Sequence, residues 1–160
     1  MNSVALPTTD ARTRPAWRVA FEIFKPRIAL EIMLAGVAGV AITGGSGLMW
    51  WQLTVLAAAI FVAAGSAGAL NHLAERDLDA RMSRTRSRPF VTGSLEFGVR
   101  WYALVGALLV LAVCAAGLST NWLAATYVFL GAFTYGVVYT LWLKRRTWMN
   151  IVIGGLAGSF

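Results

Sequence analysis

Two stretches of this chain, Ile32 to Ala74 and Trp101 to Leu143, carry no formally charged residue. Each is about twice as long as the roughly 20 apolar residues that cross a bilayer as one helix, so each fits two spanning helices and a tight turn. The turns can be read as TGGSG, Thr43 to Gly47, and GLSTN, Gly117 to Asn121, both rich in residues that break helices or adopt turns. The expected helices run from Ile28 to Ile42, Leu48 to Ala69, Trp101 to Ala116 and Trp122 to Leu143. After Arg146 a further uncharged run of 14 residues, TWMNIVIGGLAGSF, begins a fifth span but is too short to complete it. The expectation is an all-α, polytopic transmembrane bundle of about four full helices and the start of a fifth. Its membrane domain, residues 25–160, is incomplete, with the second half missing. A composition of 58% hydrophobic and 13% charged residues agrees with a membrane protein.

The charges then fix a topology. All 14 lysines and arginines lie in residues 12–27, 76–100 and 144–146. With the helices above, these segments share one side of the membrane, and the positive-inside rule makes that side cytoplasmic. The net charge of +7 and pI near 10.5 follow from this bias, so nucleic acid is not expected as a partner. Residues 1–24 are polar, include Asp10, and lack an apolar core followed by a cleavage site. They read as a short disordered cytoplasmic tail. That tail is short for a mitochondrial transit peptide, which favours a bacterial plasma membrane. Cys114 reads as a small core residue and, being the sole cysteine, excludes a disulfide within the chain. Glu31, four residues after Arg27, reads as half of a local ion pair.

One polar stretch stands out: NHLAERDLDARMSRTRSRPF, residues 71 to 90, holds three carboxylates and five arginines. If the second helix continues through it, Asn71, Glu75 and Asp79 recur every four residues and share a face. An amide oxygen and two carboxylates form a hard-oxygen set suited to Mg²⁺, which takes one or two protein carboxylates and completes its shell with water and substrate phosphates. Asp77 falls nearly opposite, with Arg81 one turn on as its partner. Arg84 and Arg88 of RTRSRP, with Lys144 and Arg145 of LKRRTWMN, supply phosphate-gripping cations. The competing reading is a solvated loop whose arginines only set topology. Against it stand the costly polar face beginning at Asn71 and the acids, which topology does not need. Metal-binding carboxylates opposite arginines at a membrane surface describe a site for an isoprenyl diphosphate.

The runs NHLAERDLDARMSRTRSRPF and YTLWLKRRTWMNIVIGG resemble the protohaem farnesyltransferase (haem O synthase) family of the UbiA superfamily, from Lys25 to the C-terminus. The resemblance implies about nine transmembrane helices around a central cavity and two acidic motifs that bind Mg²⁺ and the prenyl diphosphate. Asn71, His72, Glu75 and Asp79 match the first motif, although His72 and Glu75 stand where many members have Asp. The second motif would lie beyond Phe160.

The implied reaction transfers farnesyl from farnesyl diphosphate to a vinyl group of haem B, making haem O for haem A and terminal oxidase biogenesis, with a haem A synthase as a candidate partner. Tyr135, Tyr139 and Trp142 could offer π faces to a farnesyl cation; an interfacial aromatic belt is the alternative, preferred for Trp142. His72, the only histidine, invites a haem-ligand reading, but haem would be a substrate and need not be held through iron. The glycines and alanines of AAGSAGAL and GGLAGS read as small faces for close helix packing. Rival functions are a UbiA-type enzyme with an aromatic or other tetrapyrrole acceptor, a membrane transporter, and a noncatalytic scaffold. This portion alone is expected to be inactive.

Overall fold

The computed structural model describes residues 15–43, 47–93, 95–144, 146 and 149–158. Among them every regular element is helical. A short helix α1 (Ala16–Phe24) passes through Lys25 into α2 (Pro26–Ile42), followed by α3 (Trp50–Ala74) and a polar segment carrying α4 (Arg76–Asp79) and α5 (Pro89–Thr92). Next come α6 (Val99–Ser119) and α7 (Trp122–Phe133), which runs directly into a π-helix (Thr134–Leu143), and then α8 (Asn150–Gly155). Three helices, Trp50–Ala74, Val99–Ser119 and Trp122–Leu143, are long and apolar enough to cross a membrane. The first expected span, α2, has 17 residues, or about 25 Å of rise, at the short limit for crossing. The chain is thus an all-α integral membrane bundle.

α3 is the central helix, packed against α1, α2, α6 and α7. Small residues explain how so many neighbours reach it. Ala59, Ala63 and Ala67 recur along one stripe of α3 and are buried with Leu56, Ala112, Ala116, Ala125 and Ala132. In lipid, where no hydrophobic force separates helix from acyl chain, such close backbone approach is a main source of association. A second cluster lies at the charged end, where Val19, Ile23, Ala69, Leu73, Phe90 and Val105 are buried together. It ties α1, α5 and the start of α6 to the end of α3.

That cluster revises the tail expected over residues 1–24, because residues 16–24 form a packed helix. Val19 and Ile23, one turn apart, bury one face, while Trp17 and Phe21 face outward. Residues 1–14 lie outside the described residues. Three further local readings change. Cys114 is exposed, since it points away from the packed side of α6 that carries Ala112 and Ala116. Among the described residues, neither Arg27 with Glu31 nor Asp77 with Arg81 forms an ion pair; all four side chains are exposed, where such pairs gain little.

The turn within GLSTN is tighter than its five residues suggest. Helix α6 continues through Gly117 to Ser119, and Asn121 caps α7 by accepting a hydrogen bond from the Ala124 backbone N–H at 2.8 Å. Gly117 serves packing instead: a Cβ there would meet the Trp122 ring at 2.8 Å and Ala125 Cβ at 3.3 Å. Gly117→Val is therefore expected to destabilise the bundle by about 1–3 kcal/mol through overpacking. Gly106→Ala on the same helix, with nothing within 4 Å of the added atom, should be near neutral in the same unfolding titration. In TGGSG, Gly47 takes a left-handed φ of 70°, as a turn glycine can; residues 44–46 are outside the described residues.

Candidate functional site

The site is assembled where α3 leaves the apolar layer. The helix formally ends at Ala74, and Glu75 adopts φ −102°, ψ 7° before α4 begins. The four-residue hydrogen-bond rhythm nevertheless survives the break. Glu75 N–H donates to Asn71 O at 3.1 Å, and Asp79 N–H donates to Glu75 O at 2.8 Å. Asn71, Glu75 and Asp79 therefore stay on one face, and all three are buried. Asp77 is exposed, as its angular position requires.

The segment after α4 is held as a cap over this face. Thr85 Oγ1 donates to the Asp79 carbonyl at 3.1 Å, Arg76 Nε donates to the Phe90 carbonyl at 3.0 Å, and Phe90 is driven into the second core cluster. Pro89 starts α5 with Arg88 as its N-cap. This anchoring aims Arg88 inward, where its guanidinium pairs with the Asp79 carboxylate. Arg76, stacked over Phe97 at 5.1 Å, is spent on holding the cap.

The opposite wall comes from the π-helix. Its wider turn is marked by Lys144 N–H donating to Tyr139 O at 3.0 Å and by Thr140 Oγ1 donating to Tyr135 O at 2.8 Å. Such segments are rare and often accompany functional sites. Here it brings Tyr135 and Tyr139 into a stack at 5.6 Å, with 18° between their planes. Lys144 Nζ sits 5.6 Å from the Tyr139 ring centre and pairs with Glu75. Thr140 accepts from Asn71 Nδ2 at 3.3 Å.

Between these walls lies an open pocket of about 340 Å³. Its charged and polar lining is Lys25, Asn71, Glu75, Arg84, Arg88 and Lys144, with Tyr135 and Tyr139 beside them. Four cations face one lining carboxylate, so the pocket favours an anion. The structure thus gathers Asn71, Glu75, Asp79, Arg84, Arg88, Lys144, Tyr135 and Tyr139 in one place. Arg145 is outside the described residues. Trp142 is exposed. His72 is enclosed, with neither ring nitrogen hydrogen-bonded among the described residues, and is not part of the pocket wall.

Sequence reasoning missed Lys25, which it counted only among the basic residues that set topology. Lys25 Nζ donates to Asn71 Oδ1 at 3.3 Å. Burial, with repulsion from Arg88 next, lowers its pKa from 10.5 to about 8. The unfolded chain thus holds this proton more tightly, and the lysine's contribution to stability should rise with pH between about 8 and 10.5. A readable signal did exist: the chain has only two lysines, Lys25 and Lys144, against twelve arginines, and both lysines line the pocket.

No group of three His, Cys, Asp or Glu side chains among the described residues converges on a metal position. A hard cation completed by substrate phosphates needs fewer protein ligands. Glu75 Oε1 fits that need in part: it is a buried anionic oxygen that the Lys144 ammonium contacts as an ion pair without hydrogen-bond alignment, so a metal there would share it with that lysine. Asn71 and Asp79 lie one turn to either side of Glu75 on the same face.

Residues 32–160 match the UbiA prenyltransferase family. The chain is 49% identical over 143 residues to protoheme IX farnesyltransferase 2 of Paramagnetospirillum magneticum, covering 89% of this chain and 50% of that protein. It is 43% identical to protoheme IX farnesyltransferase of Parvibaculum lavamentivorans over 88% of this chain and 43% of that one. For the protein of the same name from Pyrobaculum islandicum the identity is 41%, over 86% and 49% respectively. The chain spans about half the length of the curated relatives it matches. No solved structure matches it. Its matched region covers the three long spans, the acid face and every lining residue of the pocket except Lys25, and the chain belongs to the UbiA prenyltransferase family.

Proposed function

We propose that this chain forms the diphosphate-binding half of a protohaem farnesyltransferase, joining the farnesyl group of farnesyl diphosphate to a vinyl group of haem B. The observation that carries this reading is the juxtaposition of a four-cation pocket with a buried oxygen face at the polar end of three apolar spans. A ligand held there has its charge outside the apolar layer and its tail within reach of lipid. The relatives' names supply haem as the acceptor.

Glu75, with Asn71 and Asp79 beside it, would hold Mg²⁺, which supplies charge neutralisation to the diphosphate. Arg88 and Lys144 contact the departing diphosphate, and Arg84 closes its outer edge, so charge is stabilised where it develops as the allylic C–O bond breaks. The stacked Tyr135 and Tyr139 rings present π faces to the farnesyl cation and keep water from it. The vinyl group's π electrons form the new C–C bond. Water then adds at the carbon next to the porphyrin and loses a proton, giving the hydroxyl of haem O. The charged side is cytoplasmic, by the positive-inside rule, in a bacterial plasma membrane. Haem O would pass to an oxidising enzyme of the haem A synthase type.

The 160-residue chain alone is expected to give no haem O, since a diphosphate with several charges needs a second acidic loop to complete its metal site. Incubating the full-length protein with farnesyl diphosphate and haem B, 4-hydroxybenzoate or a chlorophyll-type ring tests the acceptor. Prenylation of haem B alone supports the reading, and prenylation of another acceptor in its place refutes it.

A further inference from the structure

Lys25 is the only non-glycine residue with positive φ among the described residues, at φ 46° and ψ 56°. It ends α1 and immediately precedes Pro26, the first residue of α2. A residue before proline prefers extended backbone, and a side chain in the left-handed region is strained. The strain persists because packing imposes it. Phe24 and Lys25 lie on a bare track of α3, where a Cβ on Gly65 would sit 3.5 Å from the Phe24 carbonyl and one on Gly68 would sit 3.8 Å from Lys25 Cδ. Strain of this kind gathers at ligand sites, where surrounding structure holds it in place.

The charge is as unusual as the backbone. Arg88 has Asp79 and Lys144 has Glu75 in direct ion pairs, whereas Lys25, half-buried, hydrogen-bonds the neutral amide oxygen of Asn71 and feels Glu75 and Asp79 only at longer range, more weakly than its own burial and the repulsion from Arg88. A half-buried ammonium without a contacting counter-ion is stabilised by an arriving anion. Asn71 is itself fixed from behind by Thr140, so the ammonium is aimed along the pocket wall. Resting on the diphosphate reading above, we infer that Lys25 is a phosphate-binding cation of this pocket, delivered by the strained α1–α2 junction.

Because the chain's only two lysines both line the pocket, amine chemistry reads the site directly. Purified full-length protein in lipid nanodiscs is labelled with an amine-reactive acetylating reagent, with and without inorganic pyrophosphate and Mg²⁺, and Lys25 and Lys144 are followed by mass spectrometry. Pyrophosphate binding is measured in parallel by calorimetry. The inference expects pyrophosphate to protect Lys25 as well as Lys144, and Lys25→Gln to weaken binding at least about tenfold, as loss of a charge-assisted contact does. Lys25→Arg should retain most of the affinity. Lys25→Gly, which relaxes the backbone, should unfold no earlier than wild type and still lose binding, a combination that a packing role would not produce. Unprotected Lys25 beside a protected Lys144, or Lys25→Gln binding within about twofold of wild type, overturns the inference alone. Absence of pyrophosphate binding by the wild-type protein overturns the diphosphate assignment and the inference with it.

Discussion

Glu75→Gln in the full-length protein is expected to lower haem O formation by about two to three orders of magnitude, the range found when one preorganised charge-stabilising group is removed from an active site. Glutamine preserves the shape of the side chain and removes the buried anionic oxygen that pairs with Lys144. Asp79→Asn should be comparably damaging by another route. It strips the counter-ion from Arg88, and breaking a buried pair costs about 3–5 kcal/mol, so lowered stability should accompany lost turnover. Asp77→Asn should stay within about twofold of wild type, because that carboxylate is exposed. Turnover with farnesyl diphosphate and haem B, together with unfolding midpoints, separates the three. Equal loss at all three positions would mean that the shared face of Asn71, Glu75 and Asp79 is irrelevant.

The arginines give the second large effect and divide active-site chemistry from topology. Arg88→Lys keeps the charge but loses the planar fork that can hold Asp79 and a phosphate oxygen at once. Catalytic efficiency should fall about tenfold to a hundredfold, equivalent to roughly 1.5–3 kcal/mol for one charge-assisted contact. Arg84 lines the same pocket but is exposed. Arg84→Lys should therefore cost about threefold or less, since solvent screens a rim charge. Membrane orientation, checked by accessibility labelling, should be unchanged in both variants, because so many other basic residues enforce it. Wild-type kinetics in Arg88→Lys would return this arginine to a purely topological role.

What the sequence made legible was governed by local rules. Long uncharged runs report spans because lipid gives an unpaired backbone no alternative to a helix. The four-residue spacing of Asn71, Glu75 and Asp79 reports a shared face because a helix repeats every 3.6 residues, and the hydrogen-bond rhythm carries that face across the break at Glu75. The less legible features depend on distant partners. Lys25 reaches Asn71 across 46 positions, and Asn71 reaches Thr140 across 69. No local pattern encodes either contact. The π-helix was hidden for a related reason: TYGVVYTLWL has the apolar content of any spanning segment, and only packing around Tyr135, Tyr139 and Lys144 reveals the wider turn. Helix α1 looked like tail because nine residues of mixed polarity cannot form a stable helix alone. It is held by burial of Val19 and Ile23 against α3 and Phe90.

The most direct test is product identity. Full-length protein in bacterial membranes is incubated with haem B, farnesyl diphosphate and Mg²⁺, and the extracted haems are resolved by mass spectrometry beside a Glu75→Gln control. The expected result is haem B converted to a species heavier by one farnesyl group and one hydroxyl, dependent on Mg²⁺ and absent from the control. Unchanged haem B in the wild-type reaction, or equal product from Glu75→Gln, would contradict the assignment of this pocket to farnesyl transfer.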